Sequence, residues 1–152
     1  MEECIFCQII EGSKPCHKIW EDEEHIAFLS IFPNTEGFSI VTPKVHHSSY
    51  AFDLPDEVLT KLVIAAKNVG KLIDSKLDDV GRTGLIFEGF GVNHVHAKLF
   101  PMHGTASLAK WEPIIAHIDK HFEKYEGYIS SHDYVRADDR QLEKLARKIK
   151  GS

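Results

Sequence analysis

The spacing of apolar residues predicts short strands in the first part of the chain. Lys18 to Glu21 and His25 to Phe32 are rich in residues that favour strands, and an acidic turn separates them. These two segments predict a β-hairpin. A dense group of turn formers follows, and Phe38 to Thr42 then predicts a third strand that stops at Pro43.

The period changes in the middle of the chain. From Pro55 to Leu77 apolar residues recur at spacings of three and four, which predicts an amphipathic helix packed on a sheet. Two further strands are predicted at Thr83 to Glu88 and at His94 to Met102. The glycine-bearing turn Gly89-Phe90-Gly91 joins them, so we expect an antiparallel pair.

These elements predict an α+β fold, with one helical extension after the sheet. Beyond Gly104 the pattern is helical from Ser107 to about Tyr125, and again from Asp138 to Lys150. We therefore divide the chain into a core domain over 1–106 and a C-terminal helical extension over 107–152, packed on the same domain. The pattern does not indicate what the extension does.

Composition narrows the functions that the chain can have. It has 152 residues, 43% of them hydrophobic, which suits one globular domain with a full core. The net charge of −5 argues against a surface that coats nucleic acid. No apolar run is long enough to cross a bilayer, and the acidic start lacks the features of a signal peptide. We expect a cytoplasmic protein that binds neither nucleic acid nor membrane.

The most informative segment is the predicted strand that begins His94-Val95-His96-Ala97-Lys98. Residues two apart point to the same side of a strand, so His94, His96 and Lys98 share one face, and the apolar residues between them share the other. Three nitrogen-bearing side chains on one face are costly if they are buried without partners. An imidazole can attack phosphorus near neutral pH, and a neighbouring cation can neutralise phosphate oxygens. The pattern predicts a phosphate site centred on His96.

The chain from about residue 4 to 103 resembles the histidine triad (HIT) superfamily, in particular its Hint-like bacterial branch. The family motif alternates histidine with apolar residues three times, and here it has a variant His-x-His-x-Lys form in which Lys98 replaces the third histidine. Four other segments match in order and spacing: Cys4-Ile5-Phe6-Cys7-Gln8-Ile9-Ile10, Trp20-Glu21-Asp22-Glu23, Ala27-Phe28-Leu29 and Val41-Thr42-Pro43-Lys44-Val45-His46.

The resemblance implies a fold and a chemistry. The fold is a five-stranded antiparallel sheet with one long helix, usually in a homodimer. The chemistry is hydrolysis or nucleotidyl transfer through a covalent intermediate on His96, with Lys98 beside the phosphate. The ligand is a purine nucleotide or a related nucleoside phosphate, phosphoramidate or dinucleoside polyphosphate. The residues implied to line the base pocket are Phe6, Ile9, Phe28 and Ile31.

Two departures from the family pattern affect substrate binding. Ser30 stands where the family usually has an aspartate for the ribose hydroxyls, and it offers a weaker, neutral hydrogen bond. Phe90 and Gly91 stand where the family has phosphate-facing glutamine and serine. Two replacements for the lost donors remain open: the backbone amides of Gly89, Phe90, Gly91 and Val92, or Lys98. Because lysine at its ordinary pKa is a permanent cation, slow turnover is expected.

Cys4 and Cys7 form a Cys-x-x-Cys pair that can supply two thiolates to one tetrahedral zinc ion. A redox pair is the competing interpretation, but such pairs normally follow a strand in a thioredoxin-like unit. The resemblance implies a structural zinc held by Cys4, Cys7, His46 and His94, with His47 as the alternative to His46. Zinc would then fix the strand that carries His96 without taking part in the reaction.

The sequence therefore predicts a HIT-type enzyme that acts on a nucleoside phosphate. One alternative is a nucleotide-binding or regulatory module that kept the pocket but lost efficient turnover through Lys98, Ser30 and the short loop. Another is a zinc-stabilised scaffold without a ligand. Most other histidines, including His17, are expected to be structural, and His103 is left undecided.

Overall fold

The computed structural model describes residues 4–106, 111–113, 121, 123–124 and 133–151. Its helices are α1 (Ile5–Glu11), α2 (Asp56–Lys76) and α3 (Asp139–Lys150). Its strands are β1 (Lys18–Glu21), β2 (His25–Leu29), β3 (Ser39–Pro43), β4 (Val80–Ile86) and β5 (Ala97–His103), and a short 3-10 turn spans Ala51–Asp53.

The five strands form one antiparallel sheet in the order β1-β2-β3-β5-β4. The predicted α+β fold, with its five-stranded sheet and one long helix, is confirmed. Pro55 immediately precedes α2, where its fixed φ and missing amide proton cost nothing. The hairpin of β1 with β2 and the antiparallel pairing of β4 with β5 also agree with the sequence-based expectation.

The two faces of the sheet bury different clusters, because side chains alternate along each strand. One face packs against α2 and α3 and includes Ala27, Leu29, Val41 and Leu99. The opposite face carries Ile26, Phe28 and Ile40, and α1 covers it with Phe6. The residues between the motif's polar positions, Val95, Ala97 and Leu99, belong to the helix-covered cluster as predicted. The polar residues of the motif therefore belong to the α1 side of the sheet.

The predicted strand from His94 to Met102 begins later than expected. β5 starts only at Ala97, so His94 and His96 lie in the irregular segment before it. The backbone there bonds outside the ladder: Val95 N donates to His47 O at 2.9 Å, and Thr42 Oγ1 donates to Val95 O at 2.8 Å. Strand β2 also differs from its predicted bounds, because it ends at Leu29 and not at Phe32.

Helix α1 was not expected from the sequence, because seven residues are too few for a clear period. Cys4 caps its start by accepting a hydrogen bond from Cys7 N at 3.4 Å. Gly12, with φ of 89°, ends it in the left-handed conformation that favours glycine. The Cys-x-x-Cys pair thus lies within one helical turn, which brings both sulfur atoms to the same place.

Of the two helices predicted in the extension, the second is confirmed as α3, with Asp138 as its cap. Leu142, Ala146 and Ile149 of α3 are buried in the same cluster as α2. The first, predicted over 107–125, falls mainly outside the described residues. Residues 111–113, 121 and 123–124, which are described, are not helical.

Candidate functional site

A cavity of about 500 Å³ opens on the α1 side of the sheet. Its walls are mainly apolar, with Phe6, Phe28 and Ile40 among them. Charged and hydrogen-bonding residues from three separate parts of the chain also line it. His96 and Lys98 form one group, Lys14, His17 and Ser30 come from the N-terminal part, and Asp133, Arg136 and Asp139 come from the extension. An apolar cavity with a few polar groups is the usual form of a small-molecule site.

Seven of the nine residues predicted to bind the nucleotide line this cavity: Phe6, Ile9, Phe28, Ser30, Ile31, Gly91 and Val92. Gly89 and Phe90 do not. Gly89 has a φ of 74°, and an added Cβ would lie 2.7 Å from Ser49 O. A glycine at this position therefore allows the backbone to pass close to Ser49. Phe90 is 71% exposed. Of the four residues whose backbone amides were proposed as donors, only Gly91 and Val92 therefore line the cavity.

His96 is held in one orientation. Its Nδ1 donates a hydrogen bond to His94 O at 2.7 Å, since a carbonyl oxygen can only accept. Burial lowers the pKa of His96, and the nearby charge of Lys98 lowers it further. The ring is thus neutral at pH 7, and Nε2 is its unprotonated nitrogen. Phe6 packs edge-on against the ring with centroids 5.0 Å apart. A neutral, oriented imidazole is the form that acts as a nucleophile.

Lys98 is paired with Glu88, a residue that the sequence did not single out. Lys98 Nζ lies 2.7 Å from Glu88 Oε1, and the two side chains are 11% and 3% exposed. Lys98 faces Ile86 across the β4–β5 ladder, so Glu88 is only two residues beyond that partner. The register of the two strands was needed to find the pair, because Glu88 looked like an ordinary strand end. We call His96 and Lys98, which line the cavity, together with Glu88 behind Lys98, the reactive end.

Cys4, Cys7, His46 and His94 form a cluster whose four ligand atoms lie within 4.8 Å of one another. Cys7 Sγ is 3.4 Å from His46 Nδ1, and Cys4 Sγ is 3.5 Å from His94 Nδ1. In a tetrahedral site with bonds of about 2.3 Å to sulfur and about 2.0 Å to nitrogen, these atoms stand about 3.5 Å apart. The donor set and its spacing fit zinc, and His46 rather than His47 belongs to the cluster.

The tautomer of His94 also fits a metal site. Its Nε2 donates to Pro43 O at 2.8 Å, which leaves the Nδ1 lone pair among the sulfur atoms. Burial lowers the pKa of His94 and so keeps this ring neutral. Burial raises the pKa of the Cys7 thiol. A bound cation would reverse that shift, because metal ligation requires the thiolate.

The extension supplies a further polar group of the cavity. Tyr134 N donates to Phe32 O at 3.2 Å and Ala137 N donates to Ile31 O at 2.8 Å, which attaches residues 133–137 to the loop after β2. The side chains that this attachment brings to the cavity are Asp133, Arg136 and Asp139, which we call the extension end. For this part of the chain the sequence predicted only that a helix begins near Asp139.

His17, expected to be structural, ties the extension end to the sheet. Its Nε2 lies 2.8 Å from Asp139 Oδ1, and its Nδ1 lies 3.3 Å from Glu143 Oε2. Arg136 also bonds the Asp139 carboxylate at 3.0 Å. These contacts fix Arg136 and Asp139 against β1, so the extension is part of the cavity wall.

The HIT domain model matches residues 11–105 of the chain. The chain belongs to the HIT family. It is 34% identical to an uncharacterized HIT-like protein of Methanocaldococcus jannaschii, over 71% of this chain and 86% of that protein. It is 36% identical to the adenosine 5'-monophosphoramidase of Saccharomyces cerevisiae, over 68% of this chain and 65% of that enzyme.

A solved structure supports the fold over nearly the whole chain. A zinc-bound histidine triad family protein from Mycobacterium smegmatis superposes with a TM-score of 0.69 and 21% identity, covering 99% of this chain and 92% of that one. The HIT membership expected from the sequence is confirmed by the family model and the relatives, and the likeness in fold extends past the residues that the model matches. Among the described residues, no helix is long and apolar enough to span a membrane.

Proposed function

We propose that this HIT protein hydrolyses or transfers nucleotidyl groups from a nucleoside phosphate, through a covalent intermediate on His96. The observation that carries the proposal is the neutral, oriented imidazole of His96 in an apolar cavity, with the ammonium group of Lys98 beside it. The yeast relative is named for the hydrolysis of adenosine 5'-monophosphoramidate, which supports that class of substrate.

The reaction proceeds in two displacements at the α-phosphorus. His96 Nε2 attacks and forms a phosphorus–nitrogen bond, while the bond to the leaving group breaks and that group departs with its electron pair and takes up a proton from solvent water. Water then attacks the same phosphorus, the phosphorus–nitrogen bond breaks, and the nucleoside monophosphate, a proton and the neutral imidazole are released. Lys98 neutralises phosphate oxygens, because charge develops on them in both transition states. Phe6, Ile9, Phe28 and Ile31 hold the base by apolar contact, and Ser30 is the neighbouring hydroxyl for the ribose.

The test of the proposed reaction is covalent trapping. The protein is incubated with adenosine 5'-phosphoramidate carrying ³²P and quenched in alkali, because a phosphorus–nitrogen bond is labile in acid. We expect label on a peptide that contains His96, no label in His96→Ala, and normal labelling in His103→Ala, which lies outside the cavity. If wild type and His96→Ala process phosphoramidates and dinucleoside polyphosphates equally, the proposal is wrong.

A nucleotide-binding module with little turnover is the second candidate. The Glu88–Lys98 pair favours it, because the carboxylate offsets part of the charge that a phosphate would meet. Under this alternative AMP binds saturably in calorimetry, His96→Ala weakens the binding by less than tenfold, and no label is trapped. If the protein shows no saturable nucleotide binding, the remaining alternative is the zinc-stabilised scaffold without a ligand.

We also propose that Cys4, Cys7, His46 and His94 hold one structural zinc ion. The ion would fix the start of α1 and the segment that carries His96, and it would take no part in the displacements. Protein purified without chelator should contain about one zinc per chain by elemental analysis, as should a Cys16→Ser control. Cys7→Ser should lose the metal. Metal-free wild-type protein would contradict the site.

The homodimer implied by the resemblance and the cytoplasmic location expected from the composition of the chain stay predictions. Light scattering coupled to size-exclusion chromatography tests the first. A mass of one chain across the accessible concentration range would contradict it. Fractionation of cells that express the full chain tests the second.

A further inference from the structure

Glu88 is a buried carboxylate that neither the HIT motif nor the displacement mechanism uses. Its side chain is 3% exposed, and its Oε1 lies 2.7 Å from Lys98 Nζ at the reactive end of the cavity. A carboxylate in such a place is costly unless a cation accompanies it. Because replacement of a buried ion pair by apolar residues is often neutral or stabilising, stability alone explains the pair poorly.

The pair adjoins the nucleophile. Lys98 and His96 are two residues apart and line the same cavity. Lysine has a long stem that moves between rotamers, whereas the third histidine of the family motif has a short, stiff side chain. A lysine in that position needs a second group to fix its ammonium.

We propose that Glu88 is a positioning residue that holds the Lys98 ammonium in place for the phosphoryl group of a nucleotide. The inference rests on the proposed function of the site. In it, the Glu88–Lys98 pair replaces the third triad histidine as one unit, with the lysine contacting phosphate oxygens and the glutamate acting through the lysine. The carboxylate of Glu88 fixes the position of the ammonium, but it also weakens the attraction between that ammonium and a bound phosphate.

The proposal predicts that affinity and rate change in opposite directions in Glu88→Gln. Loss of the negative charge should tighten AMP binding by roughly threefold to tenfold in calorimetry. Loss of the fixed ammonium should lower the single-turnover rate with adenosine 5'-phosphoramidate by about tenfold or more. Glu88→Asp keeps the charge and should recover much of the rate. If Glu88 had a purely structural role, Glu88→Gln would weaken AMP binding and lower the single-turnover rate together.

Two controls tie the effect to Lys98. Glu24→Gln breaks an exposed ion pair with Lys61, whose Nζ lies 3.1 Å away, and should change neither quantity. In the double variant Lys98→Met/Glu88→Gln the gain in affinity should disappear, because the ammonium that produced it is gone. A gain that persists in the double variant overturns the proposal.

The two measurements, AMP affinity and single-turnover rate, distinguish a failure of this inference from a failure of the proposed function. If no phosphoramidate is turned over, the affinity arm still tests the pair, and an unchanged AMP affinity in folded Glu88→Gln overturns the inference. Should that variant fail to fold, nitrogen-15 spectra of lysine-labelled wild type replace it. One slowly exchanging ammonium signal, absent in Lys98→Arg, should shift when AMP binds. The absence of such a signal or shift refutes the positioning role.

Discussion

The two polar ends of the cavity differ in burial and in origin. At the reactive end His96 is buried, and the side chain of Glu88 is only 3% exposed. At the extension end the side chains of Arg136 and Asp139 are 45% and 64% exposed. Charges interact strongly where water is excluded and weakly where it is not. The reactive end is therefore suited to stabilising a transition state, whereas the extension end is suited to selecting among ligands.

The ends also come from different parts of the chain. The reactive end lies within 88–98, inside the residues matched by the HIT domain model, and the extension end lies after residue 132, outside them. A chain can therefore keep the chemistry of a family in one segment while another segment changes the ligand that reaches it. This division between a reactive end and a ligand-selecting end requires two things. Helix α3 must be part of the folded domain, and Arg136 must affect ligand binding without affecting the rate of the reaction.

The largest expected effect tests whether the extension is part of the folded core. Ile149 of α3 is fully buried in the cluster shared with α2, so Ile149→Ala should lower the free energy of unfolding by about 2–5 kcal/mol. Urea denaturation measures it, with exposed Lys144→Ala on the same helix as the control. An unchanged midpoint for Ile149→Ala would show that α3 is an appendage and would break the comparison.

An intermediate effect is expected at Arg136. Its removal leaves the reactive end intact, so Arg136→Ala should raise KM for a nucleoside phosphoramidate by roughly threefold to tenfold, with kcat nearly unchanged. Steady-state kinetics separates the two parameters. Arg140→Ala, which lies in the first turn of α3 and outside the cavity lining, serves as the matched control. A fall in kcat as large as the fall in kcat/KM would mean that the ends do not divide binding from chemistry.

The sequence predicted the reactive end better than the extension end, for a physical reason. Alternation in His94-Val95-His96-Ala97-Lys98 placed the polar residues on one side, even though hydrogen bonds to His47 and Thr42 delay the start of β5. Glu88 was missed because its partner is known only from the pairing of Ile86 with Lys98. Such pairings depend on tertiary contacts, which a pattern along the chain does not contain.

The extension end was beyond prediction because it depends on contacts between residues far apart in sequence. Ala137 bonds to Ile31, and Asp139 bonds to His17 across 122 positions. The local sequence around Asp138 correctly indicated a helix start, but it contains no sign of what lies opposite. Helix α1 was missed for a different reason: its seven residues are too few to show a clear period, and its capping by Cys4 and Gly12 is evident only once the helix is seen.

The smallest expected effect concerns the attachment of the extension end by charge. Hydrogen bonds from His17 and Arg136 lower the pKa of Asp139 below its ordinary value. A carboxylate with a lowered folded-state pKa stabilises the fold above its unfolded-state pKa of about 3.9, and the benefit is lost as pH falls through the folded value. Wild type should therefore be slightly more stable than Asp139→Asn at pH 6, and the difference should shrink as the pH falls below about 4.

Thermal unfolding at low ionic strength measures this difference, because salt screens exposed pairs. Asp78→Asn, an exposed change of the same charge in the turn before β4, should show no such convergence. A difference for Asp139→Asn that stays constant from pH 6 to pH 3 would mean that the carboxylate charge does not hold the extension. The apolar face of α3, with Leu142, Ala146 and Ile149, would then be its main attachment, and Arg136 would owe its position to packing and backbone hydrogen bonds.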